Sequence, residues 1–319
     1  MAGGGHGLWC AMAAGSPQHG DEWMNEASMG SAQAPGFYRF KVGAYRAIAL
    51  HDGVLQRDRP PGFVRNASDE AVGEAFAAAG MPRDNLTLTF TALAIETGTG
   101  VVVIDTGMGE SGPPGTGKLE GNLAAAGIKP GDVTQVVISH FHGDHISGLR
   151  RKDGSLTFPK AEVIVPDVEW AYWMDDAKQA AAPDGLKGNF DLVRRMFGPT
   201  AADVRHFAWG DEILPGITAI QASGHTPGMT AFQIASGGES VMFVADITNN
   251  PMLFVRNPDW QAMFDMNPEE AVATRRRILD QAAAEKLCLF FFHAPFPGVA
   301  TVVKHGDGFE YLPALWTAP

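Results

Sequence analysis

The run HFHGDH at residues 140–145 places four side chains of metal-binding types directly after an apolar stretch. Alternate side chains of an extended chain lie on the same side, so His140 and His142 can reach one ion. After a glycine turn, Asp144 and His145 then face a second ion. Imidazole and carboxylate groups suit zinc, and after zinc iron or manganese. The run therefore predicts a dinuclear metal site in a fold that brings further ligands to it. The alternative is a solvated histidine-rich loop.

Three further ligands stand where apolar runs end. His225, Asp246 and His293 each follow a run of four to six mostly apolar residues. Short apolar runs bounded by glycine or proline predict buried strands, and reactive groups collect just beyond one set of strand ends. One such histidine taken alone is more often a core or loop residue. Together with the first motif, the three indicate a single site.

At this point the chain resembles the metallo-β-lactamase superfamily, whose signature is HxHxDH followed by a distant histidine, a bridging aspartate and a last histidine. The match extends over roughly residues 35–319 in the order that the motif requires. More narrowly, the chain resembles the methyl parathion hydrolase branch and the related N-acyl homoserine lactonases. Three segments carry this likeness: APGFYR at residues 34–39, NLAAAG at 122–127 and HAPFPG at 293–298.

The resemblance implies two zinc ions per chain, with iron, manganese or cobalt as alternatives. It assigns the ligands as follows: His140, His142 and His225 to one ion, Asp144, His145 and His293 to the other, and Asp246 to both. Asp105, in the run VVVIDTG, would accept a hydrogen bond from a ligand imidazole and fix its tautomer. A plain turn aspartate before glycine is the other interpretation of Asp105.

The implied activity is that of a dinuclear zinc hydrolase. Two neighbouring dications lower the pKa of a shared water, so that a metal-bridging hydroxide attacks a carbonyl or phosphoryl group. Asp144 and Asp246 are the expected catalytic carboxylates, which orient this hydroxide and pass a proton to the leaving group. Carboxylic esters or lactones are the expected small-molecule substrates, with phosphotriesters as a side reaction.

Other members of the superfamily offer alternatives. Flavodiiron oxidoreductases carry glutamate where this chain has His142, and β-lactam hydrolases typically carry cysteine or serine where it has Asp246, so both are disfavoured. A mononuclear iron persulfide dioxygenase and a glyoxalase II-like thioester hydrolase share most of the ligands and stay open. A metal-binding scaffold without turnover is disfavoured because no ligand is lost.

Two departures from the resembling enzymes concern the substrate. The loop at residues 107–113 lacks the aromatic residue that the organophosphate hydrolase presents there. Asn249 stands three residues after Asp246, where some homoserine lactonases have tyrosine. For the substrate pocket, Trp173 and Phe190 are predicted to form an apolar wall over the metals. A place in the core is the alternative for both side chains.

Charge argues against a polyanionic partner. The chain has 24 basic and 36 acidic residues and a formal net charge of −12, whereas nucleic-acid binding requires a basic surface. Anionic membrane surfaces are disfavoured for the same reason, and no apolar run approaches the roughly 20 residues that span a bilayer. We therefore expect a soluble protein without nucleic-acid or membrane partners.

Alternating apolar runs and amphipathic segments predict an α/β architecture, with one helix over residues 268–286. The resemblance sharpens this to a four-layered αββα sandwich. Residues 34–319 are expected to form a single domain, and residues 1–33 a disordered or loosely packed tail.

The sequence also bears on assembly and compartment. Residues 36–56 predict a hairpin that turns at Asp52 and Gly53. The resemblance implies a homodimer, in which this hairpin could form part of the interface. The compartment stays open, with the cytoplasm favoured over export because no Lys or Arg precedes Arg39.

Overall fold

A computed structural model describes residues 34–315 of the chain. In that part the chain forms two seven-stranded sheets, each built from one continuous stretch of sequence. The first sheet has the strand order β1-β2-β3-β4-β5-β6-β7, and the second has β14-β13-β12-β11-β10-β9-β8. The tail predicted over residues 1–33 lies outside the described residues.

The strands of the first sheet are β1 (Phe37–Val42), β2 (Tyr45–Asp58), β3 (Asn85–Glu96), β4 (Val101–Ile104), β5 (Val133–Val137), β6 (Glu162–Pro166) and β7 (Arg205–Phe207). Those of the second are β8 (Glu212–Leu214), β9 (Ile217–Gln221), β10 (Thr230–Ser236), β11 (Glu239–Phe243), β12 (Cys288–Phe290), β13 (Val299–His305) and β14 (Gly308–Pro313). The helices are α1 (Asp69–Ala78), α2 (Leu119–Ala125), α3 (Gly143–Ile146), α4 (Asp167–Trp173), α5 (Asp176–Ala181), α6 (Asp184–Phe197), α7 (Pro251–Phe254) and α8 (Pro268–Glu285).

Helices cover the outer faces of the two sheets. Helix α2 packs on β1 and β2, α4 packs on β6, and α8 packs on β13. The inner faces meet through aromatic side chains: the ring of Phe40 on β1 stacks on that of Phe290 on β12, with centroids 6.5 Å apart. Strand β4, which is parallel to β5, is buried at three of its four residues, which explains its continuous apolar sequence VVVI. The predicted α/β class and four-layered sandwich are confirmed.

The hairpin predicted over residues 36–56 turns at a different place. Strands β1 and β2 pair from Phe37 opposite Leu50 to Val42 opposite Tyr45, so the turn lies at Gly43 and the next residue. Gly43 has φ 58°, and a Cβ atom there would come within 1.9 Å of the Ser236 carbonyl oxygen. Only glycine fits this turn without strain.

The predicted turn at Asp52 and Gly53 is therefore wrong. The register of β2 against β3 shifts between His51 and Gly53, which marks a bulge. Bulges and turns use the same residue types, because both need a positive φ at glycine. The buried Asp52 carboxylate accepts hydrogen bonds from the backbone N–H groups of Met108 and Leu119. It thus fixes the loop that follows β4.

Helix α8 ends one residue before the predicted boundary. The Asn267 side chain caps its first turn by accepting from the backbone N–H of Glu270, and Pro268 occupies the first helical position. Lys286 ends the helix in the left-handed conformation. Ile278, Leu279 and Ala282 are among the residues that it buries. No helix among the described residues is long and apolar enough to cross a membrane.

Candidate metal centre

The first four predicted ligands follow strand β5. The chain leaves the strand after Val137 and enters helix α3 at Gly143. His140 lies in the connecting loop, His142 directly precedes the helix, and Asp144 and His145 lie in its first turn. The short helix α3 turns the chain after β5, and these side chains therefore lie beyond the end of that strand.

The other three predicted ligands come from the second sheet. His225 follows β9, Asp246 follows β11 and His293 follows β12. Asp246 is preceded by Ala245 at φ 45°, a left-handed conformation that is strained for alanine. Such strain persists only where the surroundings hold it, and here it fixes the position of the Asp246 carboxylate. All seven predicted ligands come together beyond the ends of strands from the two sheets.

The ligand atoms form two groups, and within each group all of them lie within 4.8 Å of one another. The first group contains His140, His142 and His225. The second contains Asp144, His145, Asp246 and His293. In the first group, His142 Nδ1 lies 2.8 Å from His225 Nε2.

Asp246 contacts both groups. Its Oδ2 atom is 3.3 Å from His225 Nε2 and 3.0 Å from His293 Nε2. Its Oδ1 atom is 3.2 Å from His145 Nε2. Asp144 completes the second group, with Oδ2 3.3 Å from His293 Nε2 and 3.5 Å from His145 Nε2. Asp246 is therefore placed as a bridge between two sites.

The residues fit a divalent cation in each group. His140 Nε2, His145 Nε2 and Asp246 Oδ1 are buried and make no hydrogen bond of normal geometry within residues 34–315, although His145 Nε2 and Asp246 Oδ1 lie 3.2 Å apart. Buried polar atoms are normally paired, because leaving one unpaired costs about 1–3 kcal/mol. All three residues belong to the two ligand groups, and imidazole nitrogen with carboxylate oxygen is a donor set typical of zinc.

Charge within the second group also favours a cation. Burial opposes ionisation of Asp144, but His145 and His293 hold its pKa at about 2. Burial likewise disfavours a charged His293, yet Asp246 and Asp144 raise its pKa to about 10. In the first group, burial and the nearby His225 lower the pKa of His142 to about 3. The first group thus keeps His142 neutral, as a metal ligand must be.

Hydrogen bonds outside the cluster orient the imidazoles. His145 donates from Nδ1 to Asp105 Oδ2 over 2.7 Å, and Ser139 donates to the same carboxylate. Asp105 is fully buried, at φ 61°. His293 donates from Nδ1 to the Thr89 carbonyl. Each bond fixes the tautomer that leaves Nε2 free for an ion, and the Asp105 contact is of the kind the sequence predicted.

His225 is oriented by Asp265, which the sequence analysis missed. His225 donates from Nδ1 to Asp265 Oδ1 over 2.9 Å, and the buried Arg275 lies 3.5 Å from the other carboxylate oxygen. Asp265 is 40 residues from His225 in the chain and belongs to no local motif. Only the structure identifies this pair.

We expect Asp265→Ala to lower zinc affinity by about 10- to 100-fold, since partners of ligand histidines typically contribute that much. Affinity is measured by competition with a chromogenic chelator. Asp259→Ala is the matched control, because Asp259 is exposed and pairs with Arg276 away from the cluster. Equal zinc affinity in the two variants would refute this role of Asp265.

Glu169 on α4 was also missed. Its carboxylate is fully buried and accepts four hydrogen bonds, from Phe141 N, Trp173 Nε1, Thr226 Oγ1 and Gly228 N. Burial raises its pKa, against the lowering effect of these donors. Three of the donors belong to loops that carry ligands: Phe141 lies between His140 and His142, and Thr226 and Gly228 follow His225. Glu169 therefore ties together loops that carry ligands from both sheets.

A cavity of about 500 Å³ opens above the two groups. His142, Asp144, His225, Asp246 and His293 form its polar floor. Its apolar walls come from several separate segments: Leu55, Leu88, Phe90, Met108, Leu186, Met263 and Phe264. The cavity is large enough for a small molecule with an apolar portion.

The predicted apolar wall of Trp173 and Phe190 is wrong. Both side chains are fully buried and pack against each other, with ring centroids 4.7 Å apart. Trp173 donates to Glu169, which holds it in the core, with its ring 6.3 Å from that of His142. Neither residue lines the cavity. Trp173 thus packs in the core beside His142, and Phe190 packs against Trp173.

Solved structures of similar shape include two hydrolases. AidC, described as a dizinc quorum-quenching lactonase in complex with a product, has a TM-score of 0.84 and 26% identity, over 89% of this chain and 99% of AidC. AbOPH, described as a hydrolase in the beta lactamase superfamily, has a TM-score of 0.83 and 25% identity, over 90% of this chain and 100% of AbOPH.

Sequence comparison agrees with these structures. An N-acyl homoserine lactonase of Bacillus thuringiensis is 24% identical over 232 residues, which cover 66% of this chain and 84% of the relative. The sequence profile of the metallo-beta-lactamase superfamily matches residues 91–293, which is more than half of the chain. The resemblance inferred from the motifs is confirmed. The chain belongs to the metallo-beta-lactamase superfamily, as a metal-dependent hydrolase.

Proposed function

We propose that this protein is a dinuclear zinc hydrolase that opens carboxylic esters or lactones. The observation that carries the proposal is the position of Asp246, whose two carboxylate oxygens contact histidines of both ligand groups. His140, His142 and His225 would hold one ion. Asp144, His145 and His293 would hold the other. Asp105 and Asp265 would orient ligand imidazoles as positioning residues.

Two zinc ions at this site would supply Lewis acidity and lower the pKa of a bound water to near neutrality. The chain itself supplies proton transfer. Asp144 is the more accessible of the two carboxylates, with 18% of its side chain exposed against 4% for Asp246. Asp144 would therefore take a proton from the attacking water and pass it to the leaving oxygen, with Asp246 as the second catalytic carboxylate. Asp246 also holds the two ligand groups in place relative to each other.

The lining of the cavity favours a neutral substrate that carries an apolar substituent. Its walls are mostly aliphatic and aromatic, and Arg57, near Phe264, is the one cationic side chain other than histidine among the lining residues. The lactonases among the relatives are named for N-acyl homoserine lactones, which combine a small ring with an acyl chain. Substrates of this type match the cavity. Phosphotriesters are expected as side substrates and are therefore tested together with the esters and lactones.

The test is metal analysis combined with a substrate panel. Protein purified without chelator is assayed for zinc, iron and manganese by elemental mass spectrometry, and for turnover of lactones, aryl esters, a thioester and a phosphotriester. We expect two zinc ions per chain and turnover of lactones or aryl esters. One iron per chain, together with no turnover of any of these substrates, would instead support the persulfide dioxygenase. Turnover of the thioester alone would support the glyoxalase II-like hydrolase.

A further inference from the structure

One arginine lies at the outer end of the cavity above the two ligand groups. Arg57 lines this cavity near the end of strand β2 and is exposed to solvent. Its guanidinium carbon lies 5.9 Å from the centre of the Phe264 ring, which lines the same cavity. A guanidinium that packs over an aromatic face keeps the N–H groups at the rim of its plane free to donate. Arg57 therefore offers hydrogen-bond donors to a molecule that fills the cavity.

No acidic side chain of the described residues neutralises this cation. Within residues 34–315, the Arg57 guanidinium makes no ion pair and no hydrogen bond, and its contact is with the Phe264 ring. Side chains alternate along a strand, so the adjacent Asp58 points away from the cavity. The carboxylates that line the cavity are Asp144 and Asp246, both members of the ligand groups. The charge of Arg57 is thus available to an anionic group of the substrate.

The pairing of strands β2 and β3 sets the distance from the ligand groups to Arg57. Phe90 on β3 packs against His293, with ring centroids 5.4 Å apart. Arg57 pairs with Leu86, which lies 90 − 86 = 4 residues from Phe90 along the same strand. At about 3.3 Å per residue, this separation is about 13 Å. A molecule that contacts both the metals and Arg57 must therefore be elongated.

We propose that Arg57 binds a carboxylate at the far end of the apolar substituent of the substrate. Leu55 and Leu88 pair with each other between the levels of Phe90 and Arg57, and both line the cavity. They contact the methylene groups of the substituent. The part of the substrate over the metals stays neutral, and the charge lies at the outer end. Arg57 is thus a specificity-determining residue, and this inference rests on the proposed hydrolase activity.

The length of the cavity wall also selects the length of the substituent. An extended chain spans about 1.2 Å per bond, so a carboxylate about seven bonds from the scissile carbonyl comes within reach of the guanidinium. An arginine and a carboxylate then form a charge-assisted, bidentate pair. The preferred substrates are therefore monoesters of dicarboxylic acids of about eight carbons, or lactones with an equivalent acidic substituent.

The test compares aryl esters that differ in one charge. Mono-4-nitrophenyl suberate carries a carboxylate at the far end of an eight-carbon chain, and its methyl ester has the same chain without the charge. Release of 4-nitrophenolate measures cleavage of the aryl ester in both. We expect KM of the wild-type protein to be about fivefold lower for the acid, because a partly exposed arginine–carboxylate pair contributes about that much. The values of kcat should be equal, since Arg57 is remote from the reacting atoms.

Variants of Arg57 assign the preference to its side chain. In Arg57→Leu the ratio of the two KM values should fall to about one, whereas Arg57→Lys keeps the charge and should retain part of the preference. Arg46→Leu is the matched control, because Arg46 lies near the other end of β2 and pairs with Glu96 at the surface. This control should keep the wild-type ratio. Zinc content and thermal unfolding show whether any substitution disturbs the fold.

The six-carbon adipate monoester and its methyl ester test the distance. The adipate chain is two bonds shorter, so its carboxylate reaches Arg57 less well and the preference should be smaller. A preference at least as large as that for the suberate overturns the inference, because attraction by the metal centre would then explain it.

The outcomes separate the inference from the function on which it rests. A wild-type KM ratio close to one for the suberate pair overturns the inference, and this measurement requires no variant to fold. A ratio that persists in Arg57→Leu also overturns it. If the wild-type protein contains two zinc ions but hydrolyses no ester or lactone, the proposed function itself fails.

Discussion

Replacing Asp246 by alanine is expected to lower kcat/KM for a lactone by about a thousandfold or more. The carboxylate contacts His225 in the first group and His145 and His293 in the second, so its loss weakens both metal sites. Metal ions contribute several kcal/mol to hydrolytic transition states, and each 1.36 kcal/mol corresponds to about tenfold in rate. The same variant should retain fewer than two zinc ions per chain. Steady-state kinetics and elemental analysis measure the two effects.

Asp153→Ala is the control for this experiment. Asp153 is exposed, and among residues 34–315 its carboxylate accepts hydrogen bonds only from Ser155 in its own turn. It should leave zinc content and turnover unchanged. Full activity in Asp246→Ala would show that the bridging position does not matter and that the dinuclear mechanism is wrong.

Replacing Glu169 by alanine is expected to lower the free energy of unfolding by about 3–5 kcal/mol. The substitution leaves Phe141 N, Gly228 N and Trp173 Nε1 buried without acceptors. Glu169→Gln keeps the shape of the side chain and one acceptor oxygen. Its free energy of unfolding should therefore fall less than that of Glu169→Ala. Chemical denaturation of the zinc-loaded protein measures both values.

Glu162→Ala provides the matched comparison. Glu162 lies on β6, close in sequence to Glu169, but it is exposed and pairs with Arg205 at the surface. Such pairs contribute about 0–1 kcal/mol. If Glu169→Ala and Glu162→Ala destabilise the protein equally, Glu169 does not tie the ligand loops together.

The seven ligand positions could be predicted because their signal is local. Each stands within a few residues of the end of an apolar run, and the spacing of the first four is itself a motif. The αββα architecture followed from the same runs together with the family resemblance. The structure places all seven in two groups of the predicted composition, with Asp246 between them.

The residues that the sequence misplaced or missed depend on long-range contacts. Trp173 has the helical spacing of a wall residue as well as of a core residue, and its hydrogen bond to Glu169 decides for the core. Asp52 and Gly53 have the residue types of a turn, but pairing of β2 with β3 makes them a bulge. Glu169 and Asp265 contact loops that are distant in sequence, and no nearby pattern marks them.

The construction of each sheet from a continuous half of the chain has a consequence for folding. Both ligand groups draw on both halves: His225 joins two histidines from the first half, and Asp246 and His293 join Asp144 and His145. Bound zinc would therefore crosslink the halves, and it would stabilise the folded chain by about 2.7 kcal/mol at a free concentration 100 times its dissociation constant. Neither half can assemble a complete site alone. Metal supply would then control the lifetime of the folded protein as well as its activity.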